Sequence, residues 1–425
     1  MLAFLLARRQ RHNPVPIYLI LEIGQAICFS LFFTVQLIYQ VTVIGLDPLQ
    51  MVLVGTVLEV TCFVFEVPTG VVADVYSRRL SILIGVALIG CAYALEGAIP
   101  LFWAALGGQV FWGVGYTFTS GATQAWISDE IGEEAAGPVF LRGAQVWLLG
   151  GLIGTVLSVV LGVTTIQLPM VLAGVGMLTL AATLVLVMPE RHMRHMASTA
   201  RSGFGQMKTT ARDALRLAMA RPVVKVIIVI SLVVGLAAEA FDRLSTPLVI
   251  DRFDFPVVFG SDSPVIWFGI SAMIGTLLGL AASEIFKRTQ PGALGPGEPA
   301  RLLAALAATD LAALAIFAVA NSLWLAFAML WVRRIVGTIG EPVQTAWLNR
   351  NLDSASRATV ISMTGQANSI GQAAGGPAFG LIANAVSIQA ALLASAAVLS
   401  PTVALYHRLI ARDRESVEPV PTAAD

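Results

Sequence analysis

Ionisable side chains inside long apolar runs are the residues of this sequence most able to do chemistry. "GVVADVYSRR", Gly70–Arg79, sets an aspartate and two arginines between two oily segments, with Asp74 and Arg78 four residues apart. If a helix continued through the stretch, those two would lie one turn apart and could pair. Glu59 stands midway along the preceding apolar run, and Glu22 and Glu66 lie nearer the ends of theirs. A carboxyl at mid-membrane depth costs about 2.5–3.5 kcal/mol on insertion scales and is a functional candidate by default. Glu59 therefore suits a proton carrier, and a packing glutamate is the alternative. "EAFDRL" groups Glu239, Asp242 and Arg243; the first and last share a helical face and form either a gate or a self-neutralised pair. Arg333 and Arg334 sit in the middle of another run and cannot shed their charge. At least one of them needs a cavity or an acid. Asp310 suggests no role.

The elements that must position these groups follow from composition. The chain of 425 residues is 57% hydrophobic and 12% charged, with mean hydropathy +0.80. Soluble domains carry about 25% charge, so lipid must be the main solvent. Net charge is zero, so bulk charge argues for no particular partner, and no nucleic-acid partner is expected. Cys28, Cys62 and Cys91 lie inside apolar runs and make neither a disulfide framework nor a metal site. The four histidines, His12, His192, His195 and His407, lie at or beyond the ends of spans, and no His-Glu-x-x-His motif occurs. A membrane enzyme has little to work with, no cofactor site is suggested, and a receptor would lack a signalling domain.

About 20 apolar residues cross a bilayer. Twelve such segments are expected, near 17–40, 48–70, 80–99, 101–127, 143–163, 168–188, 222–247, 264–285, 302–320, 322–348, 358–384 and 388–407. The polar segment 189–221 divides the chain into a six-helix bundle over 1–188 and another over 222–425, the second ending in a short tail. With both ends in the cytoplasm, 22 of the 26 lysines and arginines fall on that side, which sets the orientation.

The opening stretch recurs. "GLAASEIFKR" places Gly279, Ser283, Lys287 and Arg288 at the spacing of Gly70, Asp74, Arg78 and Arg79. A weaker echo relates "QVFWG" at Gln109 to "RRIVG" at Arg333. Repeated halves are a signature of transporters.

On these residues the chain resembles the major facilitator superfamily, and more loosely its bacterial drug-efflux members. The resemblance covers nearly all of the sequence. Gly70 to Arg79 is similar to the family's motif A, with Val75 where a basic residue is usual and Ser77 where glycine is usual. It implies an all-α fold of twelve transmembrane helices in two halves. It also implies a conformational latch formed by Gly70, Asp74, Arg78, Arg79 and Asp129, the last at the end of span 4. Two signatures are eroded: Gln109 replaces the span-4 arginine, and Val146 and Trp147 replace the Gly-Pro of the span-5 motif, leaving Gly150, Gly151 and Gly154. The implied activity is export of hydrophobic or amphiphilic small molecules by a monomer in the plasma membrane, with protons as coupling ion. An uptake symporter or metabolite exporter is the alternative. Glu59, Glu22, Glu239 and Asp242 are the coupling candidates; Gln109, Trp112, Arg333, Arg334 and Phe33 are the cavity candidates. Span 11 carries "GQAAGGPAFG", whose small residues suit close helix contact.

Overall fold

The computed structural model describes residues 12–191, 222–290, 298–350 and 354–415, with Arg216, Met219 and Leu352 between. Arg8, Arg9 and Arg11, most of the 189–221 segment and the end of the tail lie outside the described residues. The described chain is helical, with an isolated bridge between Val258 and Ser261.

The twelve spans are Pro14–Tyr39, Pro48–Val75, Arg78–Ala98, Phe102–Thr119 continued by Ala122–Ile131, Glu133–Gly162, Gln167–Val187, Pro222–Arg252, Pro264–Thr289, Glu298–Ala318, Leu323–Arg350, Ser354–Ala385, and Ile388–Leu399 continued by Pro401–Glu415. They are spans 1 to 12 below. Ten of these helices are long and apolar enough to cross a membrane by length and composition alone. The other two are spans 4 and 11. Gln109 and several glycines dilute the first, and Gln366, Asn368 and Gln372 dilute the second.

Local chemistry fixes the ends. The Asn13 side chain caps span 1 ahead of Pro14. Asp47 and Gln50 cap span 2 reciprocally, which satisfies two orphan donors at once. Ser77 caps span 3 and Ser387 caps the first part of span 12. Several expected boundaries move: span 5 begins at Glu133 rather than 143, spans 2 and 7 run on to Val75 and Arg252, and span 12 is interrupted at Ser400. Span 1 does not stop at 40 but passes into a π-helical turn, Gln40–Ile44, closed by Gly45 in the left-handed region. Span 4 is not continuous over 101–127: it breaks at Ser120 and Gly121, whose φ of 71° suits glycine.

The helices gather into two compact units. One holds spans 1–6 with residues 255–272; the other holds residues 222–254 and those from 273 onward. In the first, Gly150 and Gly154 of span 5 lie against the carbonyls of Ile23 and Ile27 in span 1. In the second, Gly371 and Gly375 of span 11 lie against the backbone of span 7 at Leu232 and Leu236. Small residues permit such backbone approach. Each unit thus repeats one crossing, first helix against fifth. The buried core of the second unit includes Val224, Ile227, Leu303, Trp347 and Tyr406.

Candidate functional site

The Gly70–Arg79 stretch folds as the end of one helix and the start of the next. Span 2 runs to Val75, only Tyr76 and Ser77 turn, and Arg78 begins span 3. Asp74 and Arg78 are thus not on one continuous helix, yet the tight turn keeps them 3.9 Å apart. Arg78 pairs with Asp129 and donates to the Ala125 carbonyl at 3.0 Å. Three of the five expected latch residues therefore meet. Asp74 is the outer member, its side chain 64% exposed. Arg79 goes elsewhere: it donates to the carbonyls of Met188 and Val185 at 2.9 and 2.7 Å. Those are the orphan carbonyls at the end of span 6. Gly70 has open space where a side chain would be. Ser77 explains its own departure from the family pattern. Its hydroxyl accepts from the Leu80 amide and donates to Glu190 at 2.8 Å. In the second repeat, Gly279 faces Thr338, and Arg288 pairs with Glu284 at 2.8 Å on an exposed face.

At the opposite end of the first unit lies a group the sequence reading missed. Glu96, two residues from the end of span 3, is 1% exposed. Its carboxyl oxygens accept from Gln36 at 3.1 Å, Gln40 at 2.7 Å and Gln109 at 3.1 Å. The Tyr39 hydroxyl donates to its carbonyl at 3.0 Å. Spans 1, 3 and 4 are tied together there. Gln109, expected in a cavity, is instead buried as one of these donors.

Beside this group runs an aromatic array on spans 1, 3, 4 and 5. Phe33 meets Phe29 at 4.2 Å, Trp112 at 5.8 Å and Tyr93 at 6.1 Å between ring centroids. Trp112 stacks on Tyr116, and Phe29 meets Trp147. The Trp112 indole N–H donates to the Tyr93 hydroxyl at 3.2 Å. Phe29, Tyr116 and Trp147 are exposed. Phe33 and Trp112 thus belong to one surface, and Trp147 comes from the eroded span-5 motif. Glu59 is half-buried, and Glu59 and Glu66 both lie near Cys62 on span 2. Glu22 lies beside the Tyr18 hydroxyl.

The second unit holds an open cavity of about 770 Å³ between spans 7, 9, 10 and 12. Asp242, Asp310, Arg333, Arg334 and Glu341 line it with Phe241 and Tyr406. Asp310 gains the role its sequence position did not suggest: it pairs with Arg333 at 3.2 Å. The guanidinium also lies 3.8 Å from the Phe241 ring centroid, a cation–π contact. Its Nη1 is buried without a hydrogen-bond partner. The span-7 acids separate. Glu239 is buried and pairs with Arg243 at 3.0 Å, while Asp242 opens onto the cavity. Both units therefore set an acid of their third helix against a polar residue of their fourth, Glu96 with Gln109 and Asp310 with Arg333. No cluster of His, Cys, Asp and Glu suited to a metal occurs among the described residues.

Two related six-helix halves, with charged groups lining the helix interfaces and a cavity, define a multi-pass membrane transporter of small molecules, not an enzyme. Residues 16–376 match the family model of the Major Facilitator Superfamily, and the chain belongs to that family. It is 21% identical over 387 residues to YxaM of Bacillus subtilis (strain 168), described as an uncharacterized MFS-type transporter, covering 90% of this chain and 92% of that one. Among solved structures it is similar to a bacterial homologue of the human lysosomal transporter Spinster in an inward-facing state, with TM-score 0.74, 14% identity and coverage of 97% and 100%. It is also similar to the nucleoside transporter NupG (TM-score 0.72, 14% identity, coverage 96% and 100%) and to a POT family transporter in complex with 5-aminolevulinic acid (0.70, 12%, 97% and 100%). At these identities the likeness is one of fold.

Proposed function

We propose that this protein exports hydrophobic or amphiphilic small molecules by alternating access, driven by protons. It does so as a monomer in the plasma membrane with both termini cytoplasmic. The aromatic array carries this reading. Exposed rings of Phe29, Tyr116 and Trp147 around Phe33 and Trp112 present a large, weakly polar surface with few hydrogen-bonding groups. Such a surface suits flat or greasy solutes better than sugars. Arg78, Asp74 and Asp129 act as the latch, a breakable ion cluster of the kind that biases two-state motions. Glu59 carries the coupling proton, with Glu22, Glu239 and Asp242 as further candidate carboxyls in membrane-spanning helices.

A second reading has one observation in its favour. The cavity of the second unit is charged, and Asp242, Asp310 and Arg333 would suit a zwitterionic metabolite better than a neutral drug. By their own descriptions, one structural neighbour is a nucleoside transporter and another a POT family transporter in complex with 5-aminolevulinic acid. Reconstitution into liposomes with an imposed pH gradient decides between the two. Accumulation of cationic dyes and neutral drugs, reduced at least fivefold by Trp112→Ala, is the expected result. Transport of amino acids or nucleosides alone, insensitive to Trp112→Ala, would overturn the drug-export reading.

A further inference from the structure

The Glu96 group has features that helix packing does not require. Three neutral amides from two helices converge on one buried carboxyl. Gly108 on span 4 faces the Glu96 Cβ at van der Waals distance, and Gly97 lets span 3 approach span 6, since a side chain there would meet the Met170 Cβ at 2.7 Å. The amides donate through Nε2, and the amide oxygens of Gln40 and Gln109 are buried with no hydrogen-bond partner. Two idle acceptors beside a buried carboxylate are costly. They make sense if the group has a second state that uses one of them. Gln40 is also the first residue of the π-helical turn, and its carbonyl accepts from both Gly45 and Leu46. Single π turns are frequent at functional sites.

We propose that Glu96 is a proton-binding site of the N-terminal half. In the ionised state the carboxylate accepts the amide N–H groups, as the structure describes. On uptake of one proton the carboxyl gains an O–H bond. Either Gln40 or Gln109 turns its amide by half a turn, so that its Oε1 accepts that O–H. The other two amides keep donating to the remaining lone pairs, and release of the proton reverses the exchange. The exchange reorients Gln40 at the π turn or Gln109 on span 4. Occupancy of Glu96 thereby bears on how spans 1, 3 and 4 meet.

From the packed helices, the titratable groups facing the site are Tyr39 on span 1 and Tyr93 on span 3; span 4 contributes Gln109 and span 6 Met170. Phenols ordinarily titrate near pH 10 and carboxyls far lower, so within this group the carboxyl is the one that takes up a proton on acidification. A metal cation fits less well. Sodium or calcium would need several oxygens turned inward, and here the amide N–H groups occupy the carboxylate lone pairs. Proton binding stands on this geometry. Only its use in driving transport rests on the function proposed above.

The test is infrared difference spectroscopy on the purified full-length protein in lipid nanodiscs, titrated with acid. A protonated-carboxyl stretch should grow as pH falls, and Glu96→Gln should remove one carboxyl's share of it. Gln109→Met and Gln40→Met each delete a hydrogen bond to a charged group, which should displace that component's midpoint by about one pH unit. These two variants keep the test decisive if Glu96→Gln fails to fold. A titration in Glu96→Gln identical to the parent's would overturn the proposal. So would midpoints unmoved by both amide substitutions, or a spectral change that follows sodium and not pH. A titrating Glu96 in a protein that shows no pH-driven export would support the site and remove the proposed coupling.

Discussion

Removing the charge of Asp310 should cost more than any surface pair would. Its carboxylate lies 3.2 Å from Arg333, with side chains only 20% and 16% exposed. At an effective dielectric of about 20, two charges at that separation attract by about 5 kcal/mol. Desolvation and the residual exposure take back a large part of it. The cost of breaking the pair is nonetheless high, because arginine keeps its charge and Arg333 already has one buried nitrogen without a partner. Asp310→Asn alone is expected to destabilise by about 3 kcal/mol. Arg333→Gln should cost less, since a lone Asp310 can protonate. The double variant removes both charges of the pair and should recover about 2 kcal/mol relative to the sum of the singles. The Phe241 ring adds a smaller share, and Phe241→Leu should cost about 1 kcal/mol beyond lost packing. The assay is unfolding in mixed micelles followed by tryptophan fluorescence. Asp310→Asn within about 0.5 kcal/mol of the parent, or singles that simply add in the double, would refute the idea that this pair is a tight, poorly solvated contact.

The remaining predictions concern the proposed cycle. Asp74→Asn should reduce turnover several-fold and shift the resting population toward the inward-open state while substrate affinity is kept; a distance probe across the outer mouth reads it, and unchanged open and closed fractions would remove the latch role. Glu59→Gln should abolish pH-driven accumulation in liposomes yet leave energy-independent exchange nearly intact, whereas Glu59→Asp should retain partial activity; full pH-driven transport by the glutamine form would assign coupling to another carboxyl. In a background lacking Cys28, Cys62 and Cys91, a cysteine replacing Val257 should react with an impermeant thiol reagent on intact cells, and one replacing Gln290 should react only after permeabilisation. The reverse pattern would invert the topology.

Spans and turns were legible for different reasons. A run of some twenty apolar residues has few other uses, so twelve helices could be read from hydropathy. Their ends could not, because caps such as Ser77 and the break at Gly121 depend on a few atoms of local geometry. The meeting of Asp74, Arg78 and Asp129 was legible through spacing and family likeness. Arg79 was not, since its partners are backbone carbonyls that no residue type announces. Asp310 and Arg333 each stood out as expensive charges, yet nothing in the order of residues says that spans 9 and 10 bring them together. Glu96 escaped because an acid near a span end reads as an interfacial residue. Its signal was the amides. Gln36 and Gln40 stand one turn apart on span 1, and with Gln109 they are three side chains that need partners in an apolar setting.

The glycine crossings bear on how any mutational screen of this protein should be interpreted. At Gly371 and Gly375 the first atom of any side chain would run into the backbone of span 7, and at Gly154 into that of span 1. Every substitution there is excluded on volume alone, whatever its charge or polarity. These positions will score as sensitively as Arg78 or Glu59 in a growth selection. The two groups part only when the amount of folded protein in the membrane is measured beside activity. Loss at the crossings will track abundance, while loss at transport residues will leave abundance in place.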